Sequence, residues 1–193
     1  LISTEDDILN ICKEDPWMME VLKTAQTLDL NDWWVCAGFV RSKIWDVLHQ
    51  LEKRTQIPDV DVIYFDPINI NEDYEKELEE ILRTKMPNVP WSVKNQARMH
   101  LINNIPPYSS SVDAIAKFPE TVTALGLTLD KNGQIILTAP LGINDLIHLE
   151  VRPTPYFMKS GELIRIYEER IVKKNWQEKW NKINVYHVKT KVE

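Results

Sequence analysis

The chain has 193 residues, 44% of them hydrophobic and 27% charged, which suits one globular domain with a sizeable core and excludes a disordered or fibrous chain. Its net charge of -6 argues against a broad, generic nucleic-acid-binding surface while leaving a local basic groove open. No apolar run approaches the roughly 20 residues that span a bilayer, so no membrane partner is expected.

Residues 1–7 lack the basic start of a secretion signal, and the absence of an initiator Met leaves room for an upstream segment. Ser3 or Thr4 caps a first helix whose opening turn is acidic. Asp15-Pro16 opens a second helix that runs to about Leu28, with Trp17, Val21, Leu22, Ala25 and Leu28 near one face. Residues 29–32 form a loop, and residues 33–37 a short buried strand. Cys36 in that strand reads as a buried thiol, and with Cys12 far away a disulfide is not expected; both fit a reducing cytoplasm.

After Gly38, the residues Val40, Ile44, Val47, Leu48 and Leu51 recur at helical spacing, while Arg41, Lys43 and Glu52 fall mostly elsewhere. Residues 60–65 are a second strand, ended by Asp66-Pro67. Residues 72–85 are a helix with Leu78, Ile81 and Leu82 as its apolar set, 91–94 a third strand, and 95–102 a short helix. This alternation points to an α/β-like core. Further on, Ser111 caps a helix over 112–117. Residues 121–129 and 134–138 flank Asp130-Lys131-Asn132-Gly133 as a hairpin. A helical turn over 142–147, a strand over 148–151 and a helix over 162–180 complete the chain. No linker divides it, so a single domain over 1–193 is expected, with N-terminal helices (1–30), a core (33–155) and a C-terminal helical region (160–193).

The chemistry concentrates in two places. Gly38 follows a strand and opens a helix, where free backbone N–H groups and the helix dipole suit anions such as phosphates. Arg41 in the first turn can add a guanidinium fork. The next strand then carries Asp59 and Asp61, whose carboxylates share a face because side chains alternate along a strand. Two like charges that close repel unless something positive lies between them. A divalent metal is the usual solution and suggests phosphate chemistry.

This arrangement resembles the DNA polymerase β-like nucleotidyltransferase superfamily, which pairs a Gly-containing strand–helix turn with a D-x-D or D-x-E strand. The blocks AGFVRSKIWD, PDVDVIYFD, WSVKNQARMH, FPETVTALGL and APLGINDL, taken in order, resemble one bacterial nucleotidyltransferase-like family over roughly residues 33–155. The resemblance implies an α+β fold with a mixed β-sheet flanked by helices. It also implies transfer of a nucleoside monophosphate from an NTP to a hydroxyl acceptor, with Mg²⁺ or Mn²⁺ as cofactor. Asp59 and Asp61 would be the catalytic, metal-holding pair, and Gly38, Arg41 and Ser42 would touch the triphosphate. Two features depart from the superfamily pattern: Phe39 stands where a second Gly or Ser is usual, and the gap from Gly38 to Asp59 is long. A third carboxylate is expected on the following strand, but residues 91–94 contain no acid. Either Asn95 substitutes as a neutral ligand, or Glu120, Asp113 or Asp145 comes from elsewhere.

Each of these residues also has a structural reading. Asp66 faces away from the pair and reads as a turn residue. Trp45 can stack on a base or fill the core. Asn95 can be only an N-cap, whereas Lys94 and Arg98 can neutralise phosphates beside it. His100 has no metal-ligand spacing to His49, His148 or His187. Ser109 to Ser111 lack a G-x-S-x-G context and read as loop. The lysines at 173, 174, 179, 182, 189 and 191 alternate with Glu168, Glu169 and Glu178, a pattern that reads as a solvated helix or as help for an RNA acceptor. Three functions compete: a metal-dependent nucleotidyltransferase acting on a small molecule, protein or RNA; a catalytically weak nucleotide-binding module of the same fold; and a D-x-D glycosyltransferase, which calls for a larger donor-binding fold.

Overall fold

The computed structural model describes residues 1–189, so Lys191 of the basic tail lies outside the described residues. Thr4 rather than Ser3 caps α1 (Glu5–Lys13), through a reciprocal box with Asp7. Asp15 accepts the Met18 N–H and caps α2 (Pro16–Gln26), which ends two residues before Leu28. Five strands follow the order β3-β2-β1-β4-β5: β1 (Trp34–Cys36), β2 (Val60–Tyr64), β3 (Trp91–Asn95), β4 (Gly126–Leu129) and β5 (Ile135–Thr138). β1 is antiparallel to β2 and β4, β4 is antiparallel to β5, and only β2 and β3 run parallel. The sheet is therefore mixed. Its one parallel pair is joined across α4 (Glu72–Lys85), the connection a parallel pair requires.

The two faces of the sheet differ sharply. Val35, Val60, Val62, Tyr64, Val93 and Leu127 point into the main core, against side chains such as Ile8 and Leu22 from the N-terminal helices, Ile44 and Leu78. The opposite face carries Trp34, Cys36, Asp61, Ile63 and Lys94 by alternation. Only a small cluster covers it: Cys36, Ile63, Ile115 and Ala124, with Trp34 and Phe118. Polar groups can therefore sit on that face without entering the core. At the β3 edge, Glu79 accepts the Val93 N–H and Glu75 the Asn95 N–H, so side chains of α4 satisfy backbone groups that no strand pairs.

Helix α3 (Gly38–Leu48) departs from its expected amphipathic pattern. Val47 and Leu51 are exposed, whereas Arg41, Ser42 and Asp46 are buried. The reason is the C-terminal segment, whose Trp176 and Trp180 pack over the polar side of α3. Trp45, fully buried, belongs to this core and donates its Nε1–H to the Leu146 carbonyl.

Other boundaries move as well. A 3₁₀ turn (Gln96–Arg98) precedes α5 (Met99–Asn103). Ser110, not Ser111, caps α6 (Ser111–Ala116), while Ser111 is buried and donates its hydroxyl to the Asp32 carbonyl. Residues 121–123 are a 3₁₀ turn and only Gly126–Leu129 is strand. After α7 (Asn144–Ile147) and β6 (Glu150–Val151), α8 spans Gly161–Lys174 and stops at Asn175, which adopts a left-handed conformation at φ 45°. The chain then returns so that β7 (Asn184–Val185) pairs with β6. Among the described residues, no helix is long and apolar enough to cross a membrane.

Candidate active site

Strand pairing assembles the site. Cys36, the last residue of β1, lies opposite Asp61 of β2, so the turn into α3 and the aspartate pair meet at one end of the sheet. The turn passes through Ala37, whose φ of 58° and ψ of -122° is a conformation an L-residue seldom adopts. The Ala37 N–H donates to the Leu125 carbonyl at 3.1 Å, and its own carbonyl accepts from Val40 and Arg41. No side chain caps α3, so its first N–H groups stay free for a ligand. They border a cavity of about 260 Å³ lined by Ala37, Gly38, Arg41, Asp59, Asp61 and Lys174, among others.

Asp59, one residue before β2, is exposed, whereas Asp61 is half-buried. Burial and the neighbouring Asp59 charge push the Asp61 carboxyl up to about 7, while Lys174, Arg170 and Arg41 pull in the opposite direction. Neither aspartate is in an ion pair among the described residues.

Arg41 is held in an aromatic cage. Its guanidinium carbon lies 4.2 Å from the centroid of Trp176, 5.3 Å from Trp45 and 5.5 Å from Trp180. One terminal nitrogen donates to Ser42 Oγ at 3.2 Å, and the buried Nε has no partner among the described residues. Burial lowers the guanidinium to about 10, against Glu120, Asp59 and Asp61, which raise it, so it stays cationic at neutral pH. Gly38 is needed beside it: a Cβ there would come within 3.2 Å of an Arg41 terminal nitrogen. Ser42 is buried and reaches the site only through Arg41.

Two further cations come from α8. Arg170 and Lys174, one turn apart, line the cavity with Asp59 and Asp61. Arg170 is fixed by the fully buried Glu120, with Nε donating to Oε1 at 2.7 Å, and Thr123 donates to the other oxygen at 2.9 Å. These cations were readable only in part, since Arg170 and Lys174 share a helix face with the buried Tyr167 and Ile171. A cation repeated along an inward face is the available signal. Lys174 is exposed, as a solvated basic face requires, and also lines the cavity.

The remaining expectations divide. Lys94 borders the Asp61 cavity of about 220 Å³. Asn95 and Arg98 line neither Asp61 cavity and are engaged within the fold. Asn95 Oδ1 accepts from the Ala97 and Asp66 N–H groups, and its amide donates to the Asp66 and Asn69 carbonyls. Arg98 makes a buried two-point pair with Glu75 at 2.6 and 3.1 Å. Asp66 accepts from the Ile68 N–H, as a turn residue does. None of the acids expected as a third ligand joins the pair. Glu120 is engaged with Arg170, Asp145 accepts from Thr121 and faces Arg152, and Asp113 accepts from the Ser109 N–H and pairs with Lys117. Among the described residues, no group of three or more His, Cys, Asp or Glu side chains is placed to hold a metal.

Comparison with known proteins fits this geometry. A nucleotidyltransferase family profile matches residues 23–185. An NMR structure described as revealing a CCA-adding enzyme head domain is 37% identical, covers 97% of this chain and 98% of its own, and superposes with a TM-score of 0.87. The Thermotoga maritima CCA-adding enzyme complexed with tRNA is 13% identical with a TM-score of 0.57, covering 94% of this chain but only 42% of that enzyme. A CCA-adding enzyme in complex with CTP is 15% identical with a TM-score of 0.52, covering 94% and 41% respectively. These last two show a shared fold. The search of curated proteins yields no match. On the profile and the 37% identical structure, the chain belongs to a nucleotidyltransferase family.

Proposed function

We propose that the cavity between Asp59, Asp61 and α8 binds a nucleoside triphosphate with a divalent cation and transfers its nucleoside monophosphate to a hydroxyl acceptor. The observation that carries this reading is Asp61, a half-buried carboxylate raised to about 7 beside Asp59, with Arg41, Arg170 and Lys174 around it. Among the described residues, the acid pair has no cation within ion-pair distance and Arg41 and Lys174 have no anion. A metal-bound triphosphate satisfies both sides at once. The hard oxygens of Asp59 and Asp61 suit Mg²⁺ or Mn²⁺, and Mg²⁺ is commonly held by one or two carboxylates with water and substrate phosphates completing its shell. When bound, the cation offsets charge developing on the phosphoryl oxygens.

The chain's own residues do the rest. The N–H groups at Gly38 receive phosphate oxygens, and the caged guanidinium of Arg41 is oriented before substrate arrives. Arg170 and Lys174 close the opposite wall. The acceptor oxygen bonds to the α-phosphorus while the bond to the outgoing pyrophosphate breaks. Pyrophosphate leaves with the electron pair, and the hydroxyl proton passes to water. Catalysis on this reading is positioning and electrostatics. A cytoplasmic setting goes with it. Solved CCA-adding enzymes with tRNA or CTP give weight to an RNA acceptor beside small molecules and proteins, although this chain spans 41–42% of those enzymes.

A second reading, nucleotide binding with weak turnover, is favoured by the lack of a third acid beside the pair among the described residues. The nucleotidyltransferase family and fold speak against the glycosyltransferase. Calorimetric titration of the four NTPs with and without Mg²⁺ tests nucleotide binding. The expected result is Mg²⁺-dependent binding, weakened at least about tenfold by Asp59→Asn plus Asp61→Asn. Binding that ignores both Mg²⁺ and the substitution overturns the proposal. Label transfer from α-labelled NTP to an acceptor panel then separates turnover from binding alone.

A further inference from the structure

A groove of about 540 Å³ lies beside the candidate site and has no part in it so far. It runs between residues 99–108, residues 117–119 and residues 156–166. Gln96, Phe118 and Pro119 border both this groove and the smaller cavity that holds Asp61, so the two adjoin. Helix α8 is their common wall: Leu163 and Ile166 line the groove, Arg170 the Asp61 cavity, and Lys174 the Gly38 side. From Leu163 to Lys174 the helix rises about 17 Å.

The groove is lined by aromatic rings and one cation, Lys117, with Lys159 just outside the lining beside Tyr156. Tyr108, Phe118 and Tyr156 supply flat walls. Lys117 Nζ lies 5.6 Å from the Tyr108 ring and 5.7 Å from the Tyr156 ring, and Lys159 Nζ lies 5.3 Å from the Tyr156 ring. Lys117 shares its charge with Asp113 at 3.0 Å, and Glu162 also borders the groove, whereas Lys159 forms no ion pair among the described residues. Nearby, Leu101, Ile102 and Met158 are exposed by 62%, 57% and 47%. A volume near 540 Å³ falls in the range of about 300–1,000 Å³ typical of sites that enclose a small ligand.

We propose that this groove is the acceptor subsite and that it takes a nucleotide, with its base against Tyr108 and Tyr156, its phosphate at Lys117 and Lys159, and its hydroxyl directed to Asp61. The assignment rests on the nucleotidyl-transfer reading above. Stacking on aromatic rings recognises a base through its flat face, and the adjacent lysines select a ring that carries an anion over a neutral one. Position supports the acceptor role over the donor role. In-line displacement sets the attacking and leaving oxygens on opposite sides of the phosphorus. Gly38 and Lys174 line one cavity at Asp61, whereas the groove adjoins a second cavity that Asp61 also lines and that reaches neither Gly38 nor Lys174.

NMR titration with AMP, in the absence of metal and NTP, tests this. Shifts are expected at Tyr108, Tyr156 and Ile166, and not at Gly38 or Arg41. Ile166→Glu, on the exposed groove wall, and Tyr156→Leu are each expected to weaken AMP about tenfold while Mg²⁺-dependent NTP binding stays within about twofold. A short oligoribonucleotide is titrated alongside. Tighter binding of the oligonucleotide identifies a strand end as the source, and tighter binding of AMP a free nucleotide; both support the subsite. Inorganic phosphate alone is expected to shift the lysines only. NTP binding retained without any groove shift, or AMP shifts confined to Gly38 and Arg41, overturns this inference and leaves the parent reading standing. AMP bound in the groove without Mg²⁺-dependent NTP binding removes the parent reading and the acceptor role with it.

Discussion

Asp61 is where folding and ligand binding pull in different directions. The folded protein keeps this carboxyl protonated up to about pH 7, whereas an unfolded chain releases the proton near 3.8. The folded state therefore binds more protons between those values, and its stability falls as pH rises through them. Asp61→Asn removes the charge, so at pH 8 it is expected to be more stable than the wild type by about 1–2 kcal/mol after screening by water, and equal to it below pH 3.8. Urea denaturation at the two pH values reads this directly; a variant less stable at pH 8 contradicts it. Gly38 makes a second case. Arg41 is boxed in by three tryptophans, so a Cβ at Gly38 has little room to push it aside. Gly38→Ala is expected to weaken NTP binding about tenfold, and an unchanged Kd by calorimetry would remove Arg41 from the phosphate site.

Among the elements, α8 ties the site to the rest of the fold. Its Tyr167 and Ile171 are buried, and Arg170 is anchored on Glu120, a carboxylate with no exposure to water. Arg170→Met leaves that carboxylate buried without its cation, and a loss of about 3 kcal/mol is expected on denaturation. Adding Glu120→Gln should restore part of it, because the uncompensated charge goes with the pair. If the single substitution leaves stability unchanged, Arg170 is not held as described. The boundaries of α4 were legible from its charge pattern, and those of α8 were not. Residues 72–85 carry their own cap and alternate acid and apolar positions, so the helix matches the expected range. Helix α8 ends at Asn175 although the pattern continues to Trp180, because Trp176 and Trp180 turn inward onto α3.

Across the whole molecule, the C-terminal segment completes a site whose other parts lie in the first third of the chain. Trp180 is fully buried and donates its Nε1–H to Asp46 Oδ1 at 2.9 Å, while β7 pairs with β6 a few residues later. Trp180→Ala is expected to cost about 3–5 kcal/mol by opening a cavity against Trp45 and removing one of the three hydrogen bonds to the Asp46 carboxylate. Thermal denaturation checks the loss. NTP affinity measured below the melting range is expected to fall as well, since the Arg41 cage loses a wall; retained affinity would show that the cage does not orient the guanidinium.

The sequence by itself determined the first three strands, the Gly38 turn, the Asp59–Asp61 pair and the family resemblance. Each of these is written in local alternation, helical spacing or contiguous blocks. It also determined that Cys36 would be buried, since an apolar strand leaves a thiol little else to do. Only the tertiary structure decided which cations meet the pair. Arg41 and Arg170 are far apart in the chain, and the helix face that Arg170 shares with Tyr167 and Ile171 does not say which acids it meets. The structure likewise turned Asn95 and Arg98 inward to cap and pair, and among the described residues it placed no third acid beside the aspartates. The physical reason is the same throughout: a charged side chain is assigned by what is packed opposite it, and that partner comes from a distant segment.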